Sequence, residues 1–467
     1  MDDLPPPILL EILRRLADSA DVARCRVSSK TLNSLAAELR SVNLHWSYLR
    51  YAKSRSPPTT RSPPITPFKE VFSKLVSELR IVESVSIGVE KPLRFAAYED
   101  IEDEDDDLFL SDAGFVKAWI PRVCGDLVSL SISDFWVQSC WRRSDVLSLI
   151  SSYCLKLVEL EIKNAWLSVD SLTPMPNLTT LTLEFIRLDD ENLEKVNECF
   201  PCLQVLNLIG VGGLKEPKIH LAHLKTCHWT LSNAPISISI IAPNLIELTL
   251  TCVKPKLLFI EAPLLSQLSL SLENASNFKV KEFSSLRKLH LESTSLRNLL
   301  ATFPFGKTVN NLTAVSTRWE VPVGVCKSIF ELLLCAFPNV SSLTLTAGVW
   351  SEFEAYPGLG GLEFRVRMEG LKEITAYLTV NDIEVTLATI VSLLDSCSGV
   401  SDISMFIHRD VVSHVTNSLI SRCVYHMAHR ASLRWKWGMW KEGTKDAWIS
   451  DGICQPSFQS FQFVNEF

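Results

Sequence analysis

The sequence predicts an α/β protein: a solenoid built on a curved parallel sheet with a helical or irregular convex side, preceded by a small three-helix module. Three observations carry this. One short phrase recurs along the chain, as "PNLTTLTL" at 176–183, "PCLQVLNL" at 201–208, "PNLIELTL" at 243–250 and "PNVSSLTL" at 338–345. Related phrases fall between these copies at a roughly constant spacing. The first forty-five residues instead show apolar side chains at helical spacing.

Composition sets the frame. The 467 residues are 47% hydrophobic and 21% charged, as in folded chains. A formal net charge of −7 argues against a general nucleic-acid binder, which must neutralise phosphates with Lys and Arg. The opening "MDDLPPPILLEILRRL" is acidic where a secretory signal is basic, and Glu11 interrupts its apolar run. No window reaches the roughly 18 apolar residues of a membrane helix. Thirteen scattered cysteines, an odd number, do not make a secreted disulfide framework. The expected setting is cytoplasmic and/or nuclear, with reduced thiols, no membrane and no nucleic acid.

Residues 1–45 form the first module. Leu9, Ile12, Leu13 and Leu16 share one side of a short helix that prolines introduce. Two more short segments follow, capped by Asp18 or Ser19 and by Ser28 or Ser29. Three such helices enclose little core, so part of their apolar surface should meet either the solenoid or a partner. Residues 46–67, with "SRSPPTTRSPPITP" at 54–67, read as a Pro/Ser-rich linker. Residues 68–126 read as an N-terminal cap or first irregular repeat, with the acidic stretch "YEDIEDEDDD" at 98–107 an exposed loop.

Residues 127–410 carry the repeats. The pattern L-x-x-L-x-L, other apolar residues allowed, starts at Leu127, Leu157, Leu178, Leu203, Leu224, Leu245, Leu265, Leu286, Leu312, Val340, Leu371 and Val400. Successive starts are 20 to 31 residues apart, the leucine-rich-repeat spacing. In each unit the fourth and sixth positions point to one side of a short strand and the first turns inward before it. One unit cannot bury these side chains, whereas stacked units bury them against each other. Crossovers join the parallel strands. "DDENLEKVNECF" at 189–200 reads as a helical one, whereas the short gaps between 224 and 286 leave room for an extended connection. Residues 411–467 lose the period and read as a C-terminal cap.

Several motif-like signals dissolve in this pattern. "CFPC" at 199–202 has no second cysteine pair, and Cys154, Cys199, Cys335 and Cys397 sit at matching places as small buried thiols. "GKT" at 306–308 lacks the upstream glycine of a phosphate loop. Cys423, His426 and His429 lack a convincing fourth metal ligand. No cofactor and no metal are expected, and no nucleophile, base and orienter can be assembled from motifs.

Leu4-Pro5, Ile8-Leu9, Ile12-Leu13, Leu16, Asp21-Val22, Arg24 to Ser28 and Lys30 together resemble the F-box pattern, with departures at Pro7, Ser29 and Leu32. An F-box followed by degenerate leucine-rich repeats is the layout of the F-box/LRR proteins, and the chain is most similar to their plant members. The resemblance implies a substrate-recognition adaptor of an SCF-type (cullin-RING) E3 ubiquitin ligase. Its F-box would dock on the Skp-type linker, which joins it to the cullin scaffold, through Leu4, Pro5, Ile8, Leu9, Ile12, Leu13 and Val27. The alternatives are that these residues only cap the solenoid, or that the chain is an interaction scaffold outside any ligase. An unknown protein substrate would lie on the concave face, whose candidate contacts are Glu159, Glu161, Thr180, Thr182, Asn207, His228, Glu247, Thr249, Lys288, His290 and Arg318.

Overall fold

The computed structural model describes residues 4–54, 66–90, 106–135, 142–231, 233–252, 255–273, 278–280, 283–302, 306–316, 329–355, 370–430, 432–450 and 453–456. The chain divides into two compact units, Met1–Leu245 and Ile246–Phe467.

In the first unit three short helices, Pro6–Arg14, Ser19–Ser28 and Lys30–Ala36, precede seven parallel strands. These are Ser41–Ser47, Ser84–Glu90, Ser129–Ser133, Glu159–Lys163, Thr180–Glu184, Val205–Val211 and Thr226–Leu231, each paired with the next in this order. Their register stacks the repeat's apolar positions into two columns. One runs Val42, Val85, Leu130, Leu160, Leu181, Leu206 and Cys227. The other runs Leu44, Ile87, Ile132, Ile162, Leu183, Leu208 and Trp229, and every member of both is at most 2% exposed. Each such side chain contributes about 1.5–3 kcal/mol by leaving water, so the columns hold the strands together.

The second unit repeats the arrangement. Strands Glu247–Cys252, Gln267–Leu272, Lys288–Ser293, Asn311–Ser316, Ser342–Leu345, Glu373–Leu378, Asp402–His408 and Arg434–Trp440 pair in parallel. Leu248, Leu268, Leu289, Leu312, Leu343, Ile374 and Ile403 form one buried column in this register. Ala447–Ser450 then runs antiparallel to Arg434–Trp440 and pairs with Ile453–Pro456.

The recurring phrase has a second purpose besides its leucines. Its first apolar residue closes a tight turn: Leu178 N donates to Met175 O at 3.3 Å, Leu245 N to Ala242 O at 3.1 Å, and Val340 N to Phe337 O at 3.4 Å. The asparagine before it reaches back one repeat. Asn177 Nδ2 donates to Leu155 O at 2.8 Å, Asn244 Nδ2 to Ala222 O at 2.7 Å and Asn339 Nδ2 to Lys307 O at 2.7 Å. A neutral donor satisfies the neighbour's carbonyl without adding charge, and before Val309 the hydroxyl of Thr308 does the same for Phe283 O at 3.0 Å. Sequons in these phrases thus arise from repeat chemistry.

Crossovers follow their length. Glu194–Cys199 is helical, with Asp190 accepting from Glu194, Lys195 and Val196 N–H groups. The short repeats return through extended pieces: Lys218–His220 pairs with Ser237–Ile241 in the first unit, and Leu257–Glu261 with Phe278–Val280 in the second.

Four sequence expectations need correcting. The stacked strands start at Ser41, ahead of the cap or first irregular repeat expected at 68–126, so the boundary set at 45 cuts a strand and helix Tyr48–Ser54 occupies the start of the supposed linker. The repeat set at Leu312 is displaced by three residues. Val309 makes the turn, donating to Gly306 O at 3.2 Å, and Leu312 stands beside Leu289. That error put Arg318 on a strand; it lies outside the described residues, as do 55–65 of the linker and 98–105 of the acidic stretch. The cap at 411–467 contains one more helix and parallel strand, Ser413–His426 and Arg434–Trp440. Of the four matching thiols, Cys154, Cys199 and Cys397 are buried and Cys335 is exposed.

Candidate protein-interaction surfaces

The N-terminal helices are held by ordinary local devices. Pro6 opens the first helix, where a missing amide donor costs least. Asp18 caps the second by accepting from Ala20 N at 2.8 Å. Ser29 caps the third, accepting from Thr31 N at 3.2 Å and Leu32 N at 3.4 Å. Leu9, Leu13, Leu32, Ala36 and Leu39 form the core between them, with Leu10, Leu16, Val22, Cys25, Leu35 and Leu79 packed around it.

This core splits the seven predicted docking residues. Leu9 and Leu13 are each 1% exposed, so they hold the module together and offer nothing to a partner. Leu4, Ile8 and Ile12 are 40–49% exposed, Val27 is 91% exposed, and Pro5 is exposed too. Spaced by four, Leu4, Ile8 and Ile12 run along one side of the first helix and its entry. Sequence spacing marks apolar positions, but it cannot say which of two apolar sides meets the core.

The module is fastened to the first strands. Ser19 Oγ accepts from Asn43 N at 2.8 Å, and Arg50 pairs with Asp18 at 2.9 Å. Arg26 pairs with Glu78, Arg80 N donates to Ala37 O at 3.2 Å, and Leu79 lies against the helical core. The acidic stretch ends in the same region. Asp107 accepts from Phe68 N at 2.7 Å and Lys69 N at 2.9 Å, capping helix Phe68–Glu78.

The second surface is the outward side of the strands. Register sets Glu161, Thr182, Asn207 and His228 in one row, with Glu159 and Thr180 adjacent in another. Ser131 Oγ donates to Glu161 at 2.7 Å and Asn207 Nδ2 to Thr182 Oγ1 at 3.0 Å. Lys163 Nζ lies 3.2 Å from Glu161 and 2.9 Å from Glu184, and these carboxylates outweigh its burial and raise its pKa. In the second unit Glu247 and Lys288 flank Gln267, and Thr249 and His290 flank Ser269. Burial lowers the pKa of His290 against the opposing pull of Glu292, favouring a neutral ring at pH 7.

Two groupings were not foreseen. His45 Nε2 lies 2.7 Å from Ser86 Oγ and its Nδ1 3.8 Å from Glu90. Burial lowers the imidazole's pKa although Glu90 raises it. The arrangement imitates a nucleophile and base, but its strand is paired on both sides through Gly88, which uses the backbone donors an oxyanion would need. In the second unit Tyr377 stacks on Phe406 at 5.1 Å and meets Trp440 edge-on at 5.6 Å, while Trp448 lies 4.7 Å from Phe406. Tyr377 and Phe406 stand opposite each other in the register of adjacent strands. Their tryptophan neighbours come from the tail, which the repeat pattern does not reach.

Comparison with known proteins bears on the family. A family model described as F-box-like matches residues 1–41. An F-box/LRR-repeat protein of Arabidopsis thaliana is 49% identical over 454 residues, covering 96% of this chain and 100% of that protein. A helical module on stacked leucine-rich strands, shared at that identity over nearly the full length, places the chain among the F-box/LRR-repeat proteins.

Proposed function

We propose that this chain is the target-holding subunit of an SCF-type cullin-RING ubiquitin ligase. One observation carries the reading: Leu4, Pro5, Ile8, Ile12 and Val27 are exposed on a module whose core is complete without them. Apolar side chains grouped along a helix and left in water are the expected form of a docking surface. The Skp-type linker covers them and joins the chain to the cullin scaffold. An unknown protein substrate lies on the outward side of the strands. The chain does no bond chemistry; it raises the local concentration of the target beside the ubiquitin donor. The proposed setting is cytoplasmic and/or nuclear. No helix among the described residues is long and apolar enough to cross a membrane.

Removing residues 1–45 is a poor test, because it also removes most of strand Ser41–Ser47. The full chain is instead co-purified with linker and cullin beside an Ile8→Asp/Ile12→Asp/Val27→Asp variant. The wild type should recover both subunits. The variant should recover neither while keeping its melting temperature, because unpaired carboxylates resist burial in an apolar interface. Recovery by both proteins overturns the assignment of these docking residues, and recovery by neither leaves a scaffold outside any ligase as the better description.

A further inference from the structure

Among the described residues, five other than glycine adopt positive φ: Asn164, Ser171, Phe185, Leu193 and Val380. This left-handed region costs an L side chain on the order of 1–2 kcal/mol, least for asparagine. Leu193 and Val380 offset that cost by burial, at 0% and 9% exposure. Phe185 has φ +50° and remains 41% exposed, so burial offsets less of its strain.

The neighbouring strands sharpen the anomaly. Asn164 N donates to Glu184 O at 3.0 Å and Phe185 N to Ile209 O at 2.7 Å, so Asn164 and Phe185 follow the ends of two adjacent strands and Gly210 holds the equivalent place inside the third, Val205–Val211. All three are left-handed, and the outer two are residue types that adopt this conformation readily. Only the middle one carries a large apolar side chain. Its ring lies over Gly210, where a Cβ would come 2.7 Å from Phe185 Cδ1. The turn does not require an aromatic residue, yet the glycine makes room for one.

We propose that Phe185 is an anchor for the target polypeptide, and that the segment it receives carries arginine or lysine beside an apolar side chain. This rests on the reading of the strands' outward side as the target surface. The apolar part of the site is the exposed ring with the half-buried outward side chain of Ile209. Charge selects the partner: the outward positions of the two preceding strands hold Glu159, Glu161 and Glu184 against Lys163 alone. An exposed ring beside excess carboxylate suits a cationic side chain through the ring's negative face and the surrounding field.

The test uses the full chain and two labelled synthetic peptides of about ten residues, one alternating arginine with leucine and one alternating glutamate with leucine. Fluorescence anisotropy should detect the first and not the second. Phe185→Gly and Phe185→Asn should each weaken binding about tenfold or more, and Phe185→Tyr should retain it. Phe185→Gly should also hold or raise the melting temperature, because glycine relieves the strain. Equal binding of wild type and Phe185→Gly, or a melting temperature that falls in Phe185→Gly, overturns the proposal. Linker recovery is measured on the same variants. Its loss from the wild type speaks against the ligase reading, whereas its retention in Phe185→Gly isolates the target site.

Discussion

Replacing Asp134 with asparagine should change how the stability of the first unit depends on pH. Asp134 follows strand Ser129–Ser133 and is fully buried. Its Oδ1 accepts from Ser111 N at 2.8 Å, Oδ2 bonds Ser111 Oγ, and Asn164 Nδ2 donates to its backbone carbonyl at 3.0 Å. Burial raises its pKa from 3.8 to about 7, and the bonds from Ser111 oppose that rise without cancelling it. Between those values the native carboxyl holds a proton that the unfolded chain has released, so this site's contribution falls as pH rises. Three pH units at about 1.4 kcal/mol each make ionisation above pH 7 cost on the order of 4 kcal/mol. A salt-bridged carboxylate shows the opposite sign. Hydrogen exchange of peptides spanning 108–135, compared between wild type and Asp134→Asn at each pH, cancels intrinsic rates and the titration of His45 and Asp190. Wild-type protection relative to the variant should drop by about tenfold or more from pH 5 to pH 8. A ratio that stays level across that interval refutes the reasoning.

Leu9→Ala should cost about 2–5 kcal/mol through a cavity in the helical core, releasing amides of 6–36 while those of the second unit stay protected. Arg430 donates to the carbonyls of Leu394, Cys397, Ser398 and Val400 at 2.7–3.2 Å, closing the end of helix Ile383–Ser396. Arg430→Ala should cost about 1.5–3 kcal/mol by denaturant melting, and Arg430→Lys should recover only part of it because an ammonium lacks the planar fork. Burial pushes the Cys154, Cys227, Cys397 and Cys423 thiols up to about 12. Alkylation of the native protein at pH 8 should therefore mark exposed Cys335 and spare those four, as read by mass spectrometry.

The repeat was legible because its side chains obey a strict alternation: Leu181 and Leu183 could be assigned inward from their threonine neighbours alone. Even degenerate spellings such as "LKTCHW" kept their phase, with Cys227 and Trp229 taking the leucine places. Alternation does not decide between two apolar residues that could take the same place. Val309 could start a repeat as readily as Leu312, and turn geometry decided between them. Leu9 and Ile8 are equally apolar, and only the position of Leu32 and Ala36 shows which one faces inward. Strand Ser41–Ser47 was missed because a long insertion separates it from Ser84–Glu90, which fell within the expected cap or first irregular repeat. Phe185 gave no sequence signal, since its exposure and backbone conformation exist only in three dimensions.

Hydrogen exchange of the full chain with and without purified Skp-type linker tests the central claim most directly. The account predicts slowed exchange over 4–16 and 24–28, with 370–430 unchanged. Unaltered exchange in those N-terminal segments at saturating linker would contradict it.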